Sequence, residues 1–228
     1  MFFFKRFEKN IIVLISLKKN IYLCIPIVRY LFFMSETKEY IIDQAYSLFL
    51  SRSYEAVSIS DISKAIGLTK GALYHHFSSK EELFKDVIDK HLIITGLNVD
   101  DSVITLFELI EESVRKAKEI FRSIFGDTPT FMPINYMSLF IDAFRHYSGF
   151  ANEKLNLLTN DIEKIKKIMD NAVKRKEIRE DIDTKIMATN YFSITMGMSQ
   201  NLLYNNSPKL AIESLQSQLN ELYKILKI

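Results

Sequence analysis

Residues 58–84 read SISDISKAIGLTKGALYHHFSSKEELF, and this stretch predicts short helices joined by a tight turn. Ser58 and Asp61 have the spacing of a capping box, in which two side chains satisfy the unpaired amides at a helix start. Gly67 provides the positive φ that ends this helix at little cost, and Thr69 can cap the next one. The stretch is therefore predicted to be a helix-turn-helix.

Helical periodicity extends to both sides of this motif. Before it, Ile41, Ala45, Leu48 and Phe49 fall on one face of an amphipathic helix. Later helices are predicted at about 102–125, 134–149, 152–177, 183–204 and 208–227. Only 6 glycines and 4 prolines are present, too few for a protein built from many short strands. The predicted fold class is all-α.

Composition and charge narrow the functional classes. With 228 residues, 48% hydrophobic and 25% charged, the chain is an ordinary globular protein. Its single cysteine, Cys24, permits no internal disulfide and no multi-cysteine zinc site, so we expect a cytoplasmic protein. The net charge is +2, but residues 1–33 carry six basic groups and one acidic group, which leaves the remainder mildly acidic. Any DNA binding must therefore depend on a few locally placed cations.

Residues 1–33 are predicted to be an extension outside any domain. Two apolar runs, Ile11 to Leu17 and Ile21 to Val28, are separated by a pair of lysines and an asparagine. Each run is shorter than the roughly 18 residues that a membrane span needs. Two interpretations stay open: translation that truly starts at Met34, or a membrane anchor for an all-helical binding protein.

The helix that begins after Thr69 has the chemistry of a recognition helix. Such a helix enters the major groove and contacts base edges with its N-terminal residues. Lys70 can donate to guanine, Gly71 allows close approach, and the Ala72 methyl can contact a thymine methyl. Phosphate contacts are predicted from hydroxyl, imidazole and ammonium groups around them. These residues are Ser58, Thr69, Tyr74, His75, His76 and Lys80.

The motif resembles the DNA-binding segment of the TetR family of bacterial transcriptional regulators. The shared features are A-x-x-L-F before the motif, D-I-x-x-x-x-G and K-G-x-L-Y-x-H-F within it, and K-x-x-L-F at its end. The resemblance implies a homodimer in which residues 35–80 bind palindromic operator DNA. It also implies that residues 81–228 form a helical ligand-binding and dimerisation domain, and it adds Ser60 to the DNA-binding residues.

No catalytic apparatus is visible in the sequence. No zinc-protease, P-loop or dinucleotide-binding motif occurs, and His75 and His76 are neighbours that would point about 100° apart on a helix. We therefore expect neither an enzyme nor a metal or cofactor site.

The ligand of the larger domain is expected to be apolar or amphipathic, because this region is rich in Phe, Tyr and Met. Ordinary core packing is the alternative for these side chains. The candidate polar anchors for this ligand are Asp142, Arg145 and His146 on one predicted helix. The alternative is that these side chains are solvated at the surface. The predicted ligand residues are Phe107, Tyr136, Phe140, Phe144, Arg145, His146 and Tyr191.

A dimer seam is predicted along the last two helices. Apolar residues recur there at spacings of three and four, which suits helix pairing between subunits, although packing within one chain gives the same pattern. The predicted seam residues are Ile186, Asn190, Ile194, Leu202, Leu215, Leu219, Leu222 and Leu226. The sequence as a whole favours a ligand-released, dimeric repressor over the membrane-anchored alternative.

Overall fold

A computed structural model describes residues 24–92, 96–126 and 133–228, and these residues form nine α-helices without a β-strand. The prediction of an all-α fold is confirmed. The helices are α1 (Cys24–Ser51), α2 (Ile59–Ile66), α3 (Lys70–His76), α4 (Lys80–His91), α5 (Leu106–Phe125), α6 (Pro133–His146), α7 (Phe150–Lys174), α8 (Thr184–Asn205) and α9 (Pro208–Leu226).

Most helix ends lie where the local sequence signals predict them. Ser58 caps α2 in a complete capping box, and α2 ends at Gly67 with φ 70°. The clearest difference is α5, which begins at Leu106 rather than near residue 102. Thr105 and Glu108 form a second capping box there, and this reciprocal cap fixes the helix start.

The first hydrophobic cluster joins α1 to α4. Ile41, Ala45 and Phe49 on α1 are buried, which confirms the predicted apolar face. The Phe49 ring packs edge-on against Phe84 of α4 with centroids 5.1 Å apart. Leu139, Ala143 and Phe150 from α6 and α7 complete this cluster. The helix-turn-helix therefore shares its core with α6.

A second cluster lies between α5, α7, α8 and α9, and α8 packs along both α7 and α9. It contains Leu109, Ile168 and Leu219, each fully buried. A smaller third cluster consists of Phe121, Phe125, Leu202 and Ala211. α4 begins at the predicted domain boundary and packs in the first cluster, with the helix-turn-helix. The boundary at residue 80 stays a prediction.

The connection between α4 and α5 is hydrogen-bonded to α5 and α7. Lys116 and Lys164 donate to the carbonyl oxygens of Gly96 and Leu97 at 2.6 and 2.7 Å, and Asp161 accepts the Leu97 N–H at 2.8 Å. These side chains come from α5 and α7. Residues 96 and 97 are therefore hydrogen-bonded to both α5 and α7.

The predicted extension lies mostly outside the described residues, which begin at Cys24. α1 runs through Met34 without interruption, so the predicted division between residues 33 and 34 falls within a helix. Among the described helices, none combines the length and the apolar character that crossing a bilayer requires.

Candidate nucleic-acid interface

The recognition helix α3 is anchored by one face and open on the other. Leu73 and Phe77 are buried in the first cluster, whereas Lys70, Gly71 and Tyr74 are exposed. Tyr74 is 51% exposed, as expected for a tyrosine that directs its hydroxyl outward. The leading edge of α3 is therefore accessible to a partner.

Thr69 fixes the start of α3. Its Oγ1 accepts the Ala72 N–H at 3.2 Å, and its exposed side chain leaves the hydroxyl proton available. Ala72 is half-buried behind the exposed Lys70 and Gly71. The three predicted base-contacting residues thus lie together in the first turn of one helix.

Packing around Gly71 does not require a glycine at this position. An added Cβ would meet nothing closer than the Thr69 Oγ1 at 4.0 Å, so alanine would fit without strain. Glycine in a helix is less stable than alanine by roughly 0.5–1 kcal/mol. The fold therefore gains nothing from glycine here, and the vacant space suits close approach of a bulky partner.

Ser58 is committed to its capping box. Its hydroxyl donates to Asp61 Oδ2 at 2.5 Å and accepts the Asp61 N–H at 3.1 Å. Hydrogen bonds from Ser58 lower the pKa of Asp61, so a negative charge stands beside this hydroxyl. The predicted phosphate contact of Ser58 would require this bond to break. The half-buried Ser60 lies in the first turn of the same helix.

The two adjacent histidines end α3, with ring centroids 5.8 Å apart. His75 is exposed and His76 is half-buried. Burial, together with the nearby His75 and Lys38, lowers the pKa of His76. Lys38, which the sequence did not single out, lies 5.1 Å from the centroid of the Phe77 ring and pairs with Asp86 at 2.7 Å.

Lys80 begins α4, and its ammonium lies 3.9 Å from the centroid of the Tyr54 ring. Tyr54 belongs to the turn after α1 and is buried. Its hydroxyl donates to Glu81 Oε1 at 3.0 Å. The predicted phosphate-binding lysine is thus placed by contacts from outside its own helix.

Asp142 on α6 forms a hydrogen bond with the turn after α1, which the sequence did not predict. It is only 5% exposed, and its Oδ2 accepts the Tyr54 N–H at 2.8 Å across 88 residues of sequence. Neither ligand anchoring nor surface solvation, the two interpretations of the sequence, describes this role. The available signal was a lone carboxylate between Leu139 and Phe144 on an otherwise apolar helix segment.

A family model described as bacterial regulatory proteins, tetR family, matches residues 41–87, which include the whole of this interface except Lys38 and α6. Residues 41–87 thus correspond to the N-terminal segment of TetR-family regulators. The chain's curated relatives include an uncharacterized HTH-type transcriptional regulator, YwcC of Bacillus subtilis, which is 33% identical over 99 residues, 41% of this chain and 44% of the relative.

Another curated relative is IcaR of Staphylococcus epidermidis, the HTH-type negative transcriptional regulator of the biofilm operon icaADBC. It is 36% identical over 52 residues, 23% of this chain and 28% of the relative. The chain thus matches less than half the length of these relatives. Both relatives are transcriptional regulators, which agrees with the expectation that this chain is not an enzyme.

Solved structures share the fold over most of the chain. NalD of Pseudomonas aeruginosa, the secondary repressor of the MexAB-OprM efflux pump, has a TM-score of 0.58 at 16% identity and covers 85% of this chain and 98% of its own. A TetR-family regulator from Cytophaga hutchinsonii has a TM-score of 0.54 at 18% identity and covers 86% and 96%. At these identities the likeness concerns the TetR-type fold.

The predicted ligand residues are distributed over three helices, α5, α6 and α8. His146 stacks on Tyr54 at 4.2 Å, whereas Phe107 is half-exposed beside Tyr223, with centroids 5.7 Å apart. Tyr191 is buried, and its hydroxyl lies 2.8 Å from that of Ser113. Each of these three side chains has a different structural neighbour, and the assignment of a ligand to them stays a prediction.

The remaining ligand candidates lie on α6. Phe140 and Phe144 pack edge-on against each other and against Phe150 at centroid distances of 5.0–5.9 Å. Tyr136 lies 6.4 Å from Phe125 of the third cluster, and Arg145 is exposed. Phe140 is half-buried against the first cluster, as the alternative of core packing expects, whereas Phe144 is 45% exposed.

The predicted dimer residues divide into two groups. Leu202, Leu215, Leu219 and Leu226 are at most 5% exposed within a single chain, so they have no area left for a partner and pack intramolecularly. This is a correction to their assignment to the seam, since one spacing serves both kinds of packing. Ile186 and Asn190 are exposed, and Ile194 and Leu222 are half-buried.

An open groove of about 910 Å³ lies between the segment before α5 and α5 itself. Its lining includes Asp100, Glu108, Glu111 and Glu112 but none of the predicted ligand residues. Glu112 pairs with Arg115, and Glu108 belongs to the cap of α5. Within the described ranges, His, Cys, Asp and Glu side chains form no group of three that could hold a metal ion.

Proposed function

We propose that this TetR-family protein is a cytoplasmic transcriptional repressor that binds palindromic operator DNA as a homodimer. An apolar or amphipathic small molecule releases it from the operator. A repressor agrees with the role of IcaR as a negative regulator, and the match to IcaR covers 52 residues. The chemistry of the recognition helix makes the stronger case.

The observation that carries the proposal is the exposed first turn of α3. Lys70 offers charged donors to base edges, and Gly71 leaves room that the fold itself does not use. Thr69, Tyr74 and Lys80 surround this turn with groups that suit phosphates. A short helix contacts few bases, so two-fold pairing on half-sites about 34–36 Å apart would double the contacts.

Selection from a pool of randomised DNA duplexes tests the DNA-binding part. We expect enrichment of an inverted repeat, bound with a Kd of about 10⁻⁸ M or tighter near physiological salt. Gly71→Leu should abolish this binding, because its side chain would occupy the space reserved for the duplex. Ala151→Leu, an exposed change on α7, is the matched control and should bind normally. Failure of the wild-type protein to enrich any sequence would overturn the proposal.

The homodimer is proposed to use the exposed face of α8. Ile186 is 54% exposed and Met196 is 53% exposed, so α8 offers large apolar side chains to a partner. Ile186→Glu should shift sedimentation from dimer to monomer, because it places a charge at an apolar contact. Lys174→Glu on α7 provides the control and should leave the dimer intact. A wild-type protein that sediments as a monomer would refute this part.

The ligand class is supported by the many Phe, Tyr and Met residues of the chain and by a structural neighbour, SmeT, described in complex with triclosan. SmeT has a TM-score of 0.55 and is 16% identical, covering 85% of this chain and 92% of its own. A thermal-shift screen of hydrophobic compounds tests the proposal. A compound at 100 times its Kd should stabilise the fold by about 2.7 kcal/mol and weaken operator binding. Stabilisation only by small polar compounds would contradict the proposed class.

A further inference from the structure

Lys80 holds a defined position before any DNA is bound. Its ammonium lies 3.9 Å from the Tyr54 ring centroid, and its side chain is half-buried at the start of α4. The negative face of an aromatic ring attracts a cation, while the N–H groups that point away from the ring remain available as donors. The ring can therefore orient this charge without neutralising it.

Tyr54 is held in turn by contacts from two other helices. Asp142 of α6 accepts its N–H at 2.8 Å, and the His146 ring stacks on it at 4.2 Å. Glu81 of α4 accepts its hydroxyl proton at 3.0 Å. Burial, followed by the Glu81 carboxylate, raises the pKa of Tyr54, so the phenol stays protonated and continues to donate.

We propose that Tyr54 is a positioning residue that presents the Lys80 ammonium to a DNA phosphate, and that Asp142 holds Tyr54 for this task. The inference rests on the proposed DNA binding. A lysine that is free in solution has four side-chain torsions to order when it binds. A lysine already placed against a ring loses less freedom, so its phosphate contact contributes more to affinity.

A double-mutant cycle tests the role of Tyr54 on the selected operator at several salt concentrations. Lys80→Met should weaken binding about tenfold and reduce the slope of log K against log salt by about 0.9, as for one lost phosphate contact. Tyr54→Leu should produce the same loss, and the double variant should bind no worse than Lys80→Met alone. Tyr54→Phe keeps the ring and should keep the wild-type slope.

Two controls separate positioning from general damage. Tyr54→Leu should add fully to Lys70→Met, because Lys70 acts in the first turn of α3 rather than through the ring. Tyr54 is buried, so two variants of Asp142 test the proposal if Tyr54→Leu does not fold. Asp142→Leu should reproduce the loss of affinity and slope, whereas Asp142→Asn keeps an acceptor oxygen and should restore both. Circular dichroism checks that each variant is folded.

Equal weakening by Tyr54→Leu or Asp142→Leu in the wild-type and Lys80→Met backgrounds would overturn the inference, because it would indicate a purely structural role. Tighter binding by Tyr54→Leu would also overturn it, since the ring would then withhold the charge from DNA. Failure of the proposed function looks different, because the wild-type protein itself would enrich no operator.

Discussion

The helix-turn-helix and the larger helical region use their side chains in different ways. In the first, Lys70 and Gly71, two of the residues predicted to contact bases, are exposed and contribute little to folding. In the second, the residues with the strongest pattern, such as Leu215 and Leu219, are buried and hold the helices together. Changes in the first region should therefore separate binding from stability, whereas changes in the second should not.

The largest expected effect is on stability in the larger region. Leu219→Ala should lower the free energy of unfolding by about 2–5 kcal/mol, because it leaves a cavity between α5, α8 and α9. Urea denaturation measures this loss. Ile225→Ala, on the same helix but 61% exposed, is the control and should change stability by less than about 0.5 kcal/mol. Equal losses of stability from both changes would contradict the burial of Leu219 and the exposure of Ile225.

The next effect concerns base recognition. Lys70→Ala should cost about 1–3 kcal/mol of operator affinity and relax the base preference at one position of each half-site, with unfolding unchanged. Competition between matched and mismatched duplexes measures both quantities. Lys118→Ala removes an exposed lysine of α5 and should do neither. If Lys70→Ala weakened all sequences alike, its role would be phosphate binding instead.

A smaller effect has opposite signs for folding and binding. Gly71→Ala should raise the free energy of unfolding by about 0.5–1 kcal/mol, because alanine fits the free helix and favours it. The same change should weaken operator binding, since its methyl group reaches toward the duplex. Thermal unfolding and mobility shifts on one preparation test the pair. An unchanged affinity would mean that the duplex does not approach α3 at this point.

The smallest effect is a pH dependence of operator binding. The pKa of His76 is lowered, so this side chain is mainly neutral at pH 7, and a nearby phosphate would favour its protonated form. Affinity should therefore rise a few-fold as pH falls from about 7 to 5.5, below the ordinary histidine value near 6.5. His76→Gln should flatten this dependence. A wild-type affinity that does not change over this range would exclude His76 from phosphate contact.

The parts of the molecule that sequence could predict are those fixed by local signals. The caps at Ser58 and Thr69 and the exposed start of α3 depend on residues within one helical turn. The contact of Asp142 with Tyr54 spans 88 residues and depends on how α6 packs, so the lone carboxylate on an apolar segment marks Asp142 without identifying its partner. Spacings of three and four in α9 could not decide between a partner helix and the chain's own interior.

The participation of α6 in the first cluster has a practical consequence for protein engineering. Leu139 and Ala143 of α6 are fully buried among side chains of the helix-turn-helix. A fragment ending after α4 would expose this apolar surface to water and lose the acceptor at Asp142. Chimeric regulators that transplant this recognition module should therefore carry α6 along with it, or redesign the surface it covers.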